Sequence, residues 1–190
     1  MLLAAGAGSR YDGTGHKLSA EIVDPGSGRV STVIERALGS ALASDVGPVV
    51  VVTGAVPDVV PTSLADAVTS HHNPRWADGQ ITSLHVGIAA ARSVGATAVV
   101  VGLADQPFID PSAWHAVAVA PGPIVVATYD GRRANPVKLD AEVWDLLPRT
   151  GDEGARALMR IRPDLVREVA CSGSPADIDT TEDLRRWQSN

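Results

Sequence analysis

Several features that define common protein classes are absent from this chain of 190 residues. Its one cysteine, Cys171, excludes an internal disulfide and argues against a metal site built from cysteines. No apolar run reaches the roughly 18 residues of a membrane-spanning helix, and no secretory signal is recognisable. The formal net charge of −6 disfavours a general nucleic-acid-binding protein. We therefore expect a cytoplasmic protein without membrane or nucleic-acid partners.

The chain does contain a large apolar fraction, 45%, together with 20% charged residues. This balance and the length predict one globular domain over residues 1–190. No internal repeat, low-complexity tract or linker interrupts it. The first apolar run, Met1–Ala5, reaches a glycine-rich loop almost at once, so we expect a trimmed or late start.

Valine-rich runs alternate with amphipathic segments through the first two thirds of the chain. Continuous apolar runs are typical of strands buried on both faces of a parallel sheet, and they occur at Val49–Thr53, Ala98–Leu103 and Ile124–Thr128. Apolar residues at helical spacing predict helices over Ser31–Ala43 and Ile81–Val94. This alternation indicates right-handed βαβ crossovers and a three-layer α/β/α, Rossmann-like fold.

The last third of the chain departs from that alternation. Tyr129–Arg132 has the composition of a turn, and Ala134–Leu139 predicts a strand that returns antiparallel. The other predicted elements are two helices, a late strand and a terminal helix: Asp140–Leu147, Glu153–Arg160, Val166–Ala170 and Thr180–Gln188. We therefore expect a mixed, mostly parallel sheet.

The glycine-rich loop extends from Leu3 to Lys17. Glycines let the backbone approach phosphate oxygens closely, and successive N–H groups form an anion-binding nest. Arg10 can bind phosphate through two nitrogens, and Lys17 adds a second positive charge. The loop lacks the Gly-Lys-Ser/Thr of a P-loop, and Gly6 and Gly8 are not followed by the third glycine of a dinucleotide-binding loop. Alone, it fits an ordinary strand-to-helix turn at least as well, with His16 as a solvated loop residue.

Five segments in a fixed order carry a more specific signal. They are Leu3-Ala-Ala-Gly-x-Gly-x-Arg10 with Lys17, Asn73-Pro-Arg-Trp-Ala-Asp-Gly79-Gln-Ile-Thr-Ser83, Leu103-Ala-Asp105-Gln-Pro107, Asn135-Pro136-Val137 and Asp177-Ile-Asp179-Thr-Thr-Glu-Asp183. Together they resemble the MobA-like NTP transferases, which include the molybdenum-cofactor cytidylyl- and guanylyltransferases. The resemblance spans nearly the whole chain and implies the GT-A-like nucleotidyltransferase version of the Rossmann-like fold.

The resemblance also implies a reaction: an NTP transfers its NMP to a phosphorylated acceptor such as molybdopterin cofactor, and pyrophosphate leaves. Asp105 and Asp179 would hold Mg²⁺ or Mn²⁺ as hard carboxylate ligands. The residues that would carry catalysis are Arg10, Lys17 and Asp105. The implied nucleotide-binding residues are Leu3, Ala4, Ala5, Gly6, Gly8, Arg10, Lys17, Thr53, Asn73, Gly79 and Ser83. The implied acceptor-binding residues are Asn135, Pro136 and Asp152.

Two details bear on the substrates. The resemblance links the double alanine, Ala4-Ala5, with cytosine recognition, which favours CTP. Asn135 stands where many cofactor cytidylyltransferases carry histidine, which leaves the identity of the acceptor open. Asp105 and Asp179 are also each suited to capping a following helix, which is the ordinary structural role of such residues.

Other classes of function fit parts of the same sequence. A non-catalytic accessory protein could bind the nucleotide or cofactor and deliver it to a molybdoenzyme partner. A GT-A-like glycosyltransferase would use the same fold, but it usually requires an Asp-x-Asp motif, and Pro107 occupies the second acidic position. Metal-dependent pyrophosphate release separates the transferase from the carrier.

Overall fold

The computed structural model describes residues 1–24 and 28–188. The strands within these ranges are β1 (Leu2–Ala4), β2 (Glu21–Val23), β3 (Val30–Thr32), β4 (Val49–Thr53), β5 (Val68–His72), β6 (Ala98–Leu103), β7 (Ile124–Tyr129), β8 (Arg132–Asp140) and β9 (Val166–Ala170). The α-helices are α1 (Val33–Ala43), α2 (Gln80–Ser93), α3 (Pro111–Val119), α4 (Ala155–Ile161) and α5 (Thr181–Gln188). Short 3-10 helices occupy Lys17–Ser19, Thr62–Ala67, Trp76–Asp78, Ala141–Leu146 and Pro163–Leu165.

Seven of the described strands form one sheet in the order β5-β4-β1-β6-β8-β7-β9. Strand β8 runs antiparallel to both of its neighbours, and the other pairs are parallel. The three-residue strand β1 lies between β4 and β6, so that Leu2 pairs with Val51 on one side and Gly102 on the other. The carboxyl ends of β1, β4 and β6 therefore meet at one edge of the sheet, where ligands gather in open α/β folds.

Helices cover both faces of the sheet. Helices α1 and α3 bury residues such as Leu38 and Val117 against one face, while α2 and α4 bury Leu84 and Leu158 against the other. The three-layer α/β/α arrangement and the mostly parallel mixed sheet are confirmed. No helix of the described residues has the length and apolar character that crossing a membrane would require.

Helix α1 begins two residues later than its sequence pattern predicts. Ser31 belongs to β3, which pairs with β2 as a separate two-stranded ribbon. Thr32 caps the helix: its Oγ1 accepts from the Glu35 N–H, and the Glu35 carboxylate accepts from the Thr32 N–H at 2.7 Å. This reciprocal capping box fixes the start of the helix.

The predicted turn after β7 is a two-residue hairpin. Asp130 and Gly131 both have positive φ, 50° and 75°, and the flanking Tyr129 and Arg132 pair with each other. Positive φ at both central residues matches the twist of antiparallel strands. Two predicted helices differ in detail: residues 141–146 form a 3-10 helix, and α4 starts at Ala155 because Gly154, with φ 53°, is not helical.

Candidate active site

The loop after β1 brings backbone and charge to the open edge of the sheet. A cavity of about 140 Å³ lies there, lined by Leu3, Ala4, Ala5, Gly6, Lys17, Leu18, Trp76, Gln80, Ser83, Leu103 and Asp105. We call it the loop pocket. Gly54, directly after β4, lets Ala5 and Trp76 pack closely against the backbone at this pocket. A Cβ at position 54 would lie 2.6 Å from both the Ala5 carbonyl oxygen and the Trp76 Cβ.

Lys17 joins two carboxylates that are far apart in sequence. Its Nζ lies 2.6 Å from Asp105 Oδ2 and 2.7 Å from Asp179 Oδ1. Arg10 reaches the other Asp179 oxygen, with Nη1 2.9 Å from Oδ2. Burial, the largest single influence, lowers the pKa of Lys17, but the ion pairs with Asp105 and Asp179 outweigh it and leave that pKa above its usual value. Lys17 is therefore a buried cation that both carboxylates stabilise.

Backbone contacts hold Asp179 beside Asp105. The Ile178 N–H donates to the Asp105 carbonyl oxygen at 2.9 Å, so the two segments meet just past the end of β6. The Asp183 carboxylate then accepts from the N–H groups of Asp179 and Thr180, at 3.2 and 2.9 Å. Thr180 completes this cap of α5 by accepting from the Asp183 N–H. Asp179 is thus fixed by the start of a helix, while its own carboxylate stays at the site.

The donor set fits a divalent cation. Asp105 Oδ1 is buried and has no hydrogen-bond partner among the described residues, which is costly unless another group satisfies it. The described ranges hold no group of three or more histidine, cysteine, aspartate or glutamate side chains arranged to hold a metal ion. Two carboxylates with the remaining positions filled by water and phosphate is the usual arrangement for Mg²⁺.

Gln106 connects this site to the next cavity. Its side chain is only 4% exposed, and its Nε2 donates to the Pro175 carbonyl oxygen at 2.9 Å and to Asp177 Oδ1 at 2.7 Å. Its Oε1 accepts from Asn135 Nδ2 at 2.9 Å. Burial raises the pKa of Asp177, as does the nearby Asp105 carboxylate, while the hydrogen bond from Gln106 opposes the shift. The amide thus orients one residue on each side of itself.

A larger cavity of about 660 Å³ adjoins the carboxylates, and we call it the large pocket. Its floor consists of apolar side chains from the sheet, α2 and α4: Leu84, Val101, Leu103, Val126, Val137 and Met159. Its polar lining includes Arg10, Gln80, Asp105, Arg133, Asn135, Asp152, Glu153, Arg156, Arg160, Asp177 and Asp179. The two pockets share Leu3, Gln80, Leu103 and Asp105, so the carboxylate centre lies where they meet.

Residues 1–169 match the family model described as the MobA-like NTP transferase domain. The chain belongs to this family. It is 32% identical over 200 residues to nicotine blue oxidoreductase of Paenarthrobacter nicotinovorans, covering 98% of this chain and 94% of that protein. Rv0371c from Mycobacterium tuberculosis H37Rv shares its fold, with a TM-score of 0.78, 26% identity and coverage of 100% and 96%. A structure of Rv0371c in complex with manganese matches with a TM-score of 0.73 and 22% identity, covering 100% of this chain and 96% of that one.

Membership in the MobA-like NTP transferase family identifies the chain as an enzyme of the nucleotidyltransferase class, with a nucleoside triphosphate as substrate. The structure places several of the predicted nucleotide-binding residues on the loop pocket. These are Leu3, Ala4, Ala5, Gly6, Lys17 and Ser83. The predicted nucleotide-binding residue Arg10 lines the large pocket, as do the predicted metal ligands Asp105 and Asp179 and the predicted acceptor-binding residues Asn135 and Asp152.

The other predicted residues lie behind the pockets of this MobA-like domain. Asn73 is 1% exposed, and its amide donates to Thr82 Oγ1 and Ser83 Oγ at 2.8 and 2.9 Å. Its backbone N–H donates to the Thr53 carbonyl oxygen, which joins the end of β4 to the start of α2. In this structure Asn73 and the buried Thr53 hold the start of α2, which carries Ser83, in place.

Gly79, Pro136 and Gly8 also line neither pocket, and Gly8 lies within the loop beside the His16 ring. Gly79 has φ 107°, and a Cβ there would lie 2.6 Å from the Gly151 carbonyl oxygen and 2.7 Å from Asp152 Oδ1. Residues 151–152 therefore pack against Gly79, at the start of α2. In this position Asp152 lines the large pocket.

Sequence reasoning did not single out several residues of this enzyme's two pockets. Gln80 lies within one of the five family-like segments but was given no role, and Arg133 and Arg160 lie outside all five, yet all three line the pockets. Gln106 follows Asp105 directly, and its position between Asp105 and Pro107 was the one local signal for it. Its hydrogen-bond partners lie 29 to 71 residues away, which no local pattern reveals.

Proposed function

We propose that this enzyme transfers CMP from CTP to a small phosphorylated acceptor, with molybdopterin cofactor as the first candidate. The observation that supports the proposal most is the meeting of Lys17, Asp105 and Asp179 at the mouth of the glycine loop. One buried point thus combines two hard ligands with a cation that can move to phosphate. The preference for CTP rests on the resemblance carried by Ala4-Ala5.

The chemistry requires charge control more than a covalent intermediate. An oxygen of the acceptor phosphate attacks the α-phosphorus of CTP in line, a new P–O bond forms, and the bond to the β-phosphate oxygen breaks as pyrophosphate leaves. Lys17, Arg10 and the loop amides would neutralise the triphosphate and the departing charge. Asp105 and Asp179 would hold a divalent cation, which supplies further neutralisation at the α-phosphate.

Two observations support a divalent cation. The unpaired Asp105 Oδ1 is an acceptor in need of a donor or a cation. Rv0371c, whose fold this chain shares, is known in complex with manganese. Mg²⁺ and Mn²⁺ both accept such oxygen ligands, so either ion fits the site.

The large pocket supports a phosphorylated acceptor. Among the described residues, Arg133 and Arg160 form ion pairs with Glu168 and Glu153, each at 2.7 Å, and both arginine side chains are about half exposed or more. Solvent-exposed ion pairs of this kind contribute little to stability, so a phosphate can replace the carboxylate at little cost. Arg156 lines the same cavity without an ion pair in the described residues. The apolar floor suits a ring system, and the arginines suit an anionic group.

The test is release of pyrophosphate from each of the four NTPs with Mg²⁺ or Mn²⁺ and molybdopterin cofactor. We expect release with CTP, dependent on both metal and acceptor, and a rise in Tm with CTP concentration because the ligand binds the folded state. Equal Tm shifts for all four NTPs would refute the preference for CTP. Binding of CTP without any release of pyrophosphate would favour the accessory carrier.

A second candidate function comes from the full-length relative named nicotine blue oxidoreductase, since identity extends over 98% of this chain. The matching experiment follows reduction of nicotine blue by a supplied chemical reductant at the same protein concentration. Dye reduction that the substitution Asp105→Asn leaves unchanged would argue for this candidate and against the transferase. A GT-A-like glycosyltransferase would instead require a nucleotide sugar as donor.

A further inference from the structure

His16 closes the glycine loop on itself, although its sequence context predicts a solvated residue. Its Nε2 lies 3.1 Å from the Gly6 carbonyl oxygen, ten residues earlier. Its Nδ1 lies 3.3 Å from the Leu18 backbone nitrogen. The ring also covers Gly8, where a Cβ would come within 3.1 Å of Nε2 and 3.3 Å of Cδ2. His16 therefore contacts Gly6 and Gly8, two of the four glycines between Leu3 and Lys17, and also Leu18, the residue that follows Lys17.

These partners determine which nitrogen carries the proton. A backbone N–H can only donate, so His16 Nδ1 must accept from Leu18 through its lone pair. In the neutral ring the hydrogen is then on Nε2, and Nε2 donates to the Gly6 carbonyl oxygen. Both hydrogen bonds are satisfied by one tautomer, and together they tie the beginning of the loop to its end.

The hydrogen bond to Gly6 also sets the direction of the next amide. The Gly6–Ala7 peptide is trans, since the cis peptide of the described chain lies elsewhere. In a planar trans peptide the C=O and N–H point in opposite directions. Turning the Gly6 carbonyl toward His16 therefore turns the Ala7 N–H away from it. No hydrogen-bond acceptor for that N–H occurs among the described residues.

We propose that His16 is a positioning residue of the phosphate-binding loop: it holds the Gly6 carbonyl back and presents the Ala7 N–H to an anionic phosphate. Without His16, the peptide can rotate and turn a carbonyl oxygen toward the phosphate, which replaces attraction by repulsion. Gly8, with φ 63°, serves the same arrangement because its missing side chain makes room for the imidazole. This inference rests on the proposed nucleotide site.

Three substitutions separate the possible roles of the ring. His16→Phe keeps an aromatic ring against Gly8 and removes both hydrogen bonds. His16→Asn keeps a short acceptor for the Leu18 N–H but cannot reach Gly6. His16→Gln provides an N–H donor on a longer side chain that can reach the Gly6 carbonyl. The probes are inorganic tripolyphosphate, and CTP with Mg²⁺, each titrated by calorimetry.

We expect His16→Phe and His16→Asn to weaken tripolyphosphate and CTP binding about tenfold, the size of one lost hydrogen bond to a charged group. His16→Gln should recover a large part of that loss. Binding of Mn²⁺ alone, followed by electron paramagnetic resonance, should stay within about twofold in all three, because His16 contacts neither Asp105 nor Asp179. A residue needed only for folding would change both kinds of binding together.

The outcomes distinguish the inference from the function on which it rests. If the unmodified protein binds neither CTP nor tripolyphosphate, the proposed function fails. If it binds both and His16→Asn binds them equally well, the positioning role is overturned while the function stands. Should His16→Phe not fold, His16→Asn and hydrogen exchange of the Ala7 amide decide the question. With tripolyphosphate bound, a positioning role requires the Ala7 amide to exchange faster in His16→Asn than in the unmodified protein.

Discussion

The two pockets on either side of Asp105 are built in different ways. The loop pocket draws most of its lining residues from the continuous segment between Leu3 and Leu18, and Ala4, Ala5 and Gly6 among them have small side chains or none. The large pocket collects side chains from β6, β7, β8, α2, α4 and the Asp177–Asp179 segment. A wall of small residues on one short loop tolerates few changes, whereas a wall of side chains from six segments can vary one residue at a time. If the pockets have the roles proposed above, a fixed nucleotide site lies beside an adjustable acceptor site.

The two pockets also differ in how deeply their positively charged side chains are buried. The cation of the loop pocket, Lys17, is buried and held by two carboxylates at 2.6 and 2.7 Å. Arg133 and Arg160 of the large pocket are instead exposed, and so are their ion-pair partners Glu168 and Glu153. Buried pairs resist salt far better than exposed ones. Substitutions at the shared centre should therefore have the largest effects, and substitutions of exposed arginines the smallest.

The largest effect is expected for Asp105→Asn, at the point that both pockets share. The change preserves shape and removes a charge that would hold the metal, so pyrophosphate release should fall roughly 10³-fold. Asp110→Asn is the matched control, because Asp110 is in the same loop but caps α3 through the Ser112 N–H at 2.8 Å. The control should keep near-normal turnover. Comparable rates for the two variants would remove Asp105 from the mechanism.

The second-largest effect is expected for Lys17→Gln. Its kcat/KM for CTP should fall about 100-fold, because an amide cannot neutralise phosphate charge. The KM for the acceptor should change little, since Lys17 lines the loop pocket alone. Lys138→Gln is the control: Lys138 is equally buried, but it donates to the Ala120 carbonyl oxygen, away from both pockets. It should lower Tm without changing kcat/KM. A matching rise in acceptor KM for Lys17→Gln would contradict the division into two sites.

Features formed by one short segment could be predicted from the sequence, whereas contacts between distant segments could not. The glycine loop, the strands β4, β6, β7, β8 and β9 and most helix positions follow from local patterns, because periodicity and turn chemistry act over a few residues. The short strands β2 and β3 and the partly exposed β5 lack such a pattern and were not predicted. Lys17 and Asp179 are 162 residues apart, and only the family resemblance assigned both to one site; their ion pair was not predicted. Gln106 acts through Pro175, Asp177 and Asn135, so its role depends on how distant segments pack. His16 depends on a tautomer and a peptide orientation, which composition does not encode.

Gln106→Met tests the link from the shared centre to the large pocket. The change keeps the volume and removes three hydrogen bonds, to Asp177, Pro175 and Asn135. With molybdopterin cofactor as acceptor, we expect its KM to rise about tenfold while the KM for CTP stays within about twofold. Asn135→Ala should give a similar rise, and the double variant should add little, because coupled residues are not additive. Full additivity would show that the two residues act separately.

Arg156→Leu is expected to have the smallest effect, and it bears on the chemical class of the acceptor. Arg156 lines the large pocket, so losing it should raise the KM for a phosphorylated acceptor by about threefold to tenfold while kcat stays unchanged. The effect should shrink at high salt, since exposed charges are screened. Arg149→Leu is the control, because this exposed arginine lies on a separate groove beside His85 and Trp144. If the two variants behave alike at low salt, the large pocket recognises its acceptor through the apolar floor, and the adjustable side of the enzyme selects for shape instead of charge.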